Sequence, residues 1–462
     1  EDALPTTTST SFFQKGREFE SVYVNHKYTD EEKEQLATYE SVDYLPPHSS
    51  VYKNWLKRQP SRLDWDRWVM MGLIGFTVGF IGFLMHQLID VIAEVKWEKA
   101  SEYVKDEDFA MAWIWVMGFS VLFVIVGSLP VVYYRPSAGG SGIPELIGFL
   151  NGTVVRHIFN VKTMVVKFFS CVCAVGAGLP VGPEGPMIHL GTALVIHSFV
   201  GVLVAAGLSQ FKSETLKINL PFFERFRNTE DRRNFISAGA AAGVASAFGA
   251  PVGGLLFSME EVSSFWNMKL SWQTFFCCMV STFTTDVFNS AFTGFRYQGD
   301  FGLFKTEKYI IFQVSHGIAL NLLAFIPAAI IGAIGGLLGA LFTFLNLKIA
   351  RFRRYHIGNI KSKGWKNLAK LVEPIFIMLI MSTASVFLPA AFSCTPFECG
   401  FTAKVATLLF VTGEKAIHHL YSRETPFELG YASLFTVLIV YFLLACWSAG
   451  SAISSGLVVP ML

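Results

Sequence analysis

The sequence predicts an all-α, polytopic membrane protein whose helices are broken and tilted. Three observations carry that fold class. Apolar residues make up 52% of the 462-residue chain and charged residues 16%, where a soluble domain of this size carries about a quarter. The apolar content gathers into stretches 68–89, 109–134, 234–259, 309–347 and 431–462 that contain no Asp, Glu, Lys or Arg. A run of about 20 such residues crosses the hydrocarbon core as one helix. Glycine and proline interrupt these stretches repeatedly, and lipid tolerates broken backbone only where protein or a cavity surrounds it.

Along the chain, residues 1–65 form a mixed-charge tail of the kind that packs loosely or not at all. It has no apolar core of the signal-peptide type, so the first span must direct insertion itself. Residues 66–462 read as one membrane domain. The basic stretch "KNWLKRQPSR" precedes the first span and "KIARFRRYHIGNIKSKGWK" follows residue 347. Short basic flanks and loops stay cytoplasmic, which puts the N-terminus and the 348–370 loop inside. The segment "SAGAAAGVASAFGAPVGG", 237–254, is nearly all small residues, which let helices approach closely in lipid. The chain opens on Glu1 rather than Met and stops at Leu462 inside an apolar run, so both ends are expected to be cut.

Three breaks lie between apolar segments: "SAGGSGIPELIGFL" at 137–150, "GPEGP" at 182–186 and "GLVVP" at 456–460. The second and third share a G-x-x-x-P spacing, and matching breaks in two halves are what inverted repeats produce around a binding site. Proline suits a first helical turn, so each break can start a helix at membrane depth. Helix starts offer unpaired N–H groups and the positive end of the dipole. Three converging starts would make an anion site with no buried cation, Ser141 adding a hydroxyl. The alternative is three ordinary helix boundaries between short spans. Glu184, an ionisable residue at membrane depth, is a functional candidate on physical grounds.

These motifs, with "VKFF" at 166–169, "DRRNFISAGAAAGVASAFGAPVGGLLFSMEEVSSFWN" at 231–267 and "YFLLACWSAG" at 441–450, resemble the CLC family of chloride channels and chloride/proton exchangers from about residue 66 onward. "YESVDY", "SSFWN" and "ATLLFVTGEKAIHHLYS" are similar to the late-endosomal and lysosomal branch. The resemblance implies a CLC-type inverted-repeat architecture and the following roles. Ser141, Gly142, Ile143, Gly185, Leu457 and Val458 bind chloride, Ser141 through its hydroxyl and Leu457 and Val458 through backbone N–H groups. Glu184 is the gating and proton-carrying glutamate. Glu261, the second of Glu260-Glu261, is the internal proton-transfer glutamate found in exchangers. It further implies a homodimer in the bilayer, an accessory subunit as a further partner, and chloride and protons as substrates with no other cofactor.

The chain departs from the family in four ways. Pro183 stands where many members carry Lys or Arg, and Val458 where Phe is frequent. The stretch after the second motif, "GTALVIHSFVGVLVAAG", is longer than its counterpart. The late chloride-contacting tyrosine, the last helices of the dimer interface and the nucleotide-binding cytoplasmic CBS pair are absent from this sequence.

Other candidates read as structure. Lys167, a lone cation in an apolar stretch, is expected to be a buried electrostatic residue, and His189, His197 and His316 to be satisfied interior histidines. His418-His419 lacks partners for a metal site. Asn151-Gly152-Thr153 is a glycosylation sequon that also suits a helix C-cap. Of seven cysteines, Cys171, Cys173, Cys277, Cys278 and Cys446 are core residues. Cys394 and Cys399 form either a disulfide or two free thiols. A net charge of +2 gives no reason to expect nucleic acid, and no nucleotide loop, metal cluster or nucleophile–base pair suggests an enzyme. Three functional readings remain: an exchanger of acidic organelles, favoured by having both Glu184 and Glu261; a passive chloride channel; and a truncated, non-conducting chain that associates with full-length partners.

Overall fold

The structure is a computed structural model that describes residues 65–461 except 107, 154–159, 197–228, 298, 300–321, 391–405, 412 and 422–429. The 1–65 tail, His197, His316, most of the stretch after the second motif, and Cys394 and Cys399 therefore lie outside the described residues, Trp65 excepted. The described chain is helical, as expected, apart from a two-residue strand pair, β1 (Phe292–Thr293) with antiparallel β2 (Arg296–Tyr297).

The helices in order are α1 (Trp65–Lys105), α2 (Phe109–Leu129), α3 (Ile143–Leu150), α4 (Val161–Ala177), α5 (Glu184–Ile196), α6 (Thr229–Phe248), α7 (Pro251–Phe257) and α8 (Met268–Ala291). They continue with α9 (Phe325–His356), α10 (Lys363–Ala390), α11 (Ala406–Leu409), α12 (Gly413–Tyr421), α13 (Tyr431–Ser448) and α14 (Val458–Met461). Among the described residues, 5 helices are long and apolar enough to cross a membrane, α1, α2, α9, α10 and α13. Their outward side chains, such as Leu122, Val126, Ile330, Leu337 and Leu443, are exposed apolar groups. Lipid accepts such a surface, because helices satisfy their own backbone.

Shorter α5 and α6 form the interior. Ile188, Leu190, Ala193, Phe235, Ile236, Ala240 and Ala242 are all buried in one core cluster. The small-residue stretch does what its composition predicts. A Cβ on Gly243 would stand 2.7 Å from the Met187 carbonyl and 2.9 Å from the Ile188 Cα, and one on Gly191 would overlap the Gly239 carbonyl. Glycine is what brings α5 and α6 into backbone contact. The apolar stretch 234–259 becomes two helices, because Gly249 turns at φ 62° and Pro251 restarts the helix as α7.

The basic segment after residue 347 differs from the expected loop. Helix α9 runs on to His356, with Arg353, Arg354 and His356 in its last turn, leaving 357–362 as the connection. Cations at a helix C-terminus are favoured by the macrodipole, so the basic run extends the helix.

Candidate functional site

All three breaks start helices. Gly142, in the left-handed region at φ 84°, is the N-cap of α3, with proline in the first turn. Helix α5 begins at Glu184, its first backbone bond running from the Met187 N–H to the Pro183 carbonyl at 2.9 Å. Helix α14 begins at Val458.

The breaks are also bonded to one another. Gly182 and Gly456 form an antiparallel bridge. The Gly182 N–H donates to the Gly456 carbonyl at 2.9 Å, and the Gly456 N–H to the Gly182 carbonyl at 2.7 Å. The Gly140 N–H donates to the Ile453 carbonyl at 2.8 Å, and the Ser455 N–H to the Gly140 carbonyl at 3.4 Å. The Ser454 N–H reaches the Ser170 hydroxyl of α4 at 3.1 Å. Broken backbone thus pairs with broken backbone, which meets the requirement that buried N–H and C=O groups find partners.

Glu184 lies fully buried where these segments meet. Its carboxylate fills the space that glycine leaves at two positions. A Cβ on Gly456 would stand 2.6 Å from Glu184 Oε2, and a Cβ on Gly182 would overlap both carboxylate oxygens. Gly185 meets the first break in the same way, since its Cβ would stand 2.7 Å from the Ser141 Cβ and 3.2 Å from the Gly456 Cα. As the first residue of α5, Glu184 sits at the positive end of that helix, where a carboxylate is stabilised.

Ser141, Gly142, Ile143, Gly185 and Glu184 are therefore brought together, with Gly182 and Gly456 as residues the sequence reading had not singled out individually. The Ile143 N–H donates to the Ser141 hydroxyl at 3.4 Å, so that hydroxyl can still donate its own proton to an anion. Leu457 and Val458 follow Gly456 directly. Leu457 packs against a cluster of Phe342, Ala445, Cys446 and Ala449, and Val458 is 38% exposed.

Helix starts alone would make the site without a buried cation, but the lysine read from the sequence as a buried electrostatic residue stands beside the first break. Lys167, on α4, is buried and donates from Nζ to the Gly140 carbonyl at 3.3 Å. A Cβ on Gly142 would stand 2.6 Å from this Nζ and 2.5 Å from His189 Cδ2. An ammonium has three donors, so one contact to Gly140 leaves capacity for an anion. His189, expected to be an interior residue, is buried and also flanks the Ser141-Gly142 turn. The lone lysine in an apolar stretch was the one signal available for this pairing.

Glu261 stands elsewhere. It lies with Glu260 in a π-helical turn, Ser258–Val262, that extends α7, and both carboxylates are exposed. The turn is tied to neighbouring elements by the Ser258 hydroxyl on the Ser237 carbonyl at 2.8 Å and by Ser237 with Ser263 at 2.8 Å. The Ser264 hydroxyl reaches Asn151 Oδ1, and Asn151 is the C-cap of α3, as expected.

Comparison with known proteins gives a consistent result. The family described as "Voltage gated chloride channel" matches residues 121–462. "Chloride channel protein D" of Dictyostelium discoideum is 39% identical over 370 residues, covering 79% of this chain and 34% of the relative. "H(+)/Cl(-) exchange transporter 7" of Homo sapiens is 33% identical over 454 residues, covering 92% of this chain and 53% of the relative. The chain thus spans about half or less of these two relatives' length. Among solved structures, a slow cyanobacterial Cl-/H+ antiporter aligns with TM-score 0.62 at 19% identity, covering 86% of this chain and 76% of that one.

Proposed function

The chain belongs to the voltage-gated chloride channel family, and from that premise we propose that it is a chloride/proton exchanger, a secondary transporter of organelle membranes. The observation that carries this reading is the buried Glu184 carboxylate at the start of α5, against Gly456.

The carboxylate is itself an anion, tethered where helix starts favour anions. It competes with chloride for one region of positive potential. The α5 dipole and Lys167 favour an anion there. A proton on Glu184 removes the competitor and admits chloride; loss of that proton returns it. Anion occupancy and proton uptake are thereby linked through one side chain. Ser141, Gly142, Ile143, Gly185, Leu457 and Val458 are the proposed chloride contacts, and Lys167 adds positive charge beside them.

Proton delivery from the other side is assigned to Glu261, whose exposure and whose place in a π-helical turn suit exchange with water. Relatives of the chain carry both kinds of name, channel and exchanger; the pair Glu184 and Glu261 favours exchange, since a passive channel needs no second proton carrier. The late-endosomal or lysosomal location, the homodimer and an accessory subunit are proposed from the resemblance alone, and the cytoplasmic N-terminus from the basic stretches flanking the first span and following residue 347.

Reconstitution of the full-length protein into liposomes tests the reading. A chloride gradient should drive proton movement, and Glu261→Ala should abolish the proton arm. Chloride movement in the wild type without coupled protons would identify a passive channel instead.

A further inference from the structure

We infer that Arg353 is a positioning residue for the anion site, holding the strap 449–456 that supplies the third break. The last carbonyls of a helix have no partner within it, and at the end of α13 they are met by side chains from α9. Arg353 Nη1 donates to the Ala449 carbonyl at 2.5 Å, and Nη2 donates to the Trp447 carbonyl. Asn346 Nδ2, two turns earlier on α9, donates to the Cys446 carbonyl at 3.1 Å and the Ala449 carbonyl at 3.3 Å.

The guanidinium is itself fixed. Its Nε pairs with Glu373 Oε1 of α10 at 2.6 Å, the two side chains being 13% and 12% exposed. The same oxygen accepts from Trp447 Nε1 at 3.0 Å. Backbone then packs on the charged group: a Cβ on Gly450 would stand 3.0 Å from Nη1, and Gly450 turns at φ 79°. Beyond that turn the strap bonds to Gly140, Ser170 and Gly182 in succession. One end is held by Arg353 and the other forms the site. The guanidinium also walls a cavity of about 440 Å³ that includes Gly139, Gly140 and Ser451, so it borders open space leading to the first break.

Arginine suits this role. Its Nε, Nη1 and Nη2 each meet a different acceptor, Glu373 and the Ala449 and Trp447 carbonyls, as the fork of a guanidinium allows, whereas a lysine ammonium is a single point. The inference rests on the proposed chloride function, and its test is chosen to separate the two. Full-length wild type, Arg353→Lys and Arg353→Gln are purified, and chloride binding is read from the chloride dependence of the melting temperature in detergent, beside flux in liposomes. Both variants should need about tenfold more chloride for half-maximal stabilisation and half-maximal flux, with a smaller change in maximal flux. The swap Arg353→Glu with Glu373→Arg should not restore affinity, because it rebuilds the ion pair without the carbonyl contacts.

A folded Arg353→Lys with wild-type chloride dependence overturns the inference, as does full rescue by the swap. If Arg353→Gln does not fold, Arg353→Lys, which keeps charge and stem, decides the matter. If the wild type shows neither chloride-dependent stabilisation nor flux, the chloride reading fails, and the inference fails with it. Binding without proton coupling would leave the inference standing and overturn only the exchanger reading.

Discussion

Gly182 and Gly456 exchange both backbone hydrogen bonds, at 2.9 Å and 2.7 Å, and the carboxylate of Glu184 lies against the α-carbons of both. Two glycines far apart in sequence thus build one compartment around a buried charge. The two positions differ in what a methyl group would meet, and that difference is testable.

At Gly182 the nearest atoms to an added Cβ are all in the Glu184 side chain, whereas at Gly456 they include the Gly185 amide at 2.8 Å and the Gly182 carbonyl at 2.9 Å. Side chains can move and paired backbone cannot. Gly182→Ala should lose exchange, and adding Glu184→Ala should restore chloride flux. Gly456→Ala should lose flux, destabilise the protein by about 1–3 kcal/mol, and stay inactive with Glu184→Ala. Flux and melting temperature of the four variants check this.

Lys167 is the buried cation of the site, 3.3 Å from the Gly140 carbonyl. Replacing it with methionine keeps most of the volume and removes the charge. Lys167→Met should raise the chloride concentration for half-maximal flux about tenfold, equivalent to ~1.4 kcal/mol. Lys167→Arg keeps the charge but carries it in a larger head, so it should impair flux by crowding Gly142 while retaining anion affinity. Chloride titrations of flux separate the two outcomes.

In the proposed mechanism a proton on Glu184 opens the site, which sets the sign of the pH dependence. Acid should favour chloride entry and alkali should slow it. Glu184→Gln is permanently neutral and should give chloride flux that is flat with pH and carries no protons. Flux measured from acid to alkaline pH checks the slope in both proteins.

Arg67, at the start of α1, pairs with Asp231 at the start of α6 at 2.6 Å, the two side chains being 23% and 3% exposed. Breaking such a pair leaves a partly buried charge uncompensated. Asp231→Asn should lower stability by about 1–3 kcal/mol, read as a drop of several degrees in melting temperature, with the proton-to-chloride ratio unchanged. A changed ratio would mean the pair belongs to the transport machinery.

Much of the site is legible in the sequence because glycine and proline mark backbone directly. "SGIP", "GPEGP" and "GLVVP" each start a helix in the structure, and the small-residue stretch at 237–254 packs as its composition predicts. Less visible is whatever depends on which helices become neighbours. Lys167 could be recognised as an isolated cation, but its contact with Gly140, 27 residues away, follows from how α4 lies against the first break. Arg353 read as part of a basic loop, because a run of cations does not distinguish a helix end from a connection. Its partners Glu373, Trp447 and Ala449 are 20, 94 and 96 residues away, beyond any local pattern. Glu261 could be chosen over Glu260 only through the family resemblance, and the two carboxylates remain alike in exposure.

In the proposed mechanism one carboxylate, Glu184, both excludes chloride and carries the proton. Simultaneous recording of chloride and proton flux in liposomes containing full-length Glu184→Ala tests it most directly. Chloride should flow down its gradient with no accompanying proton movement. Proton transport still driven by a chloride gradient in that variant would contradict the claim.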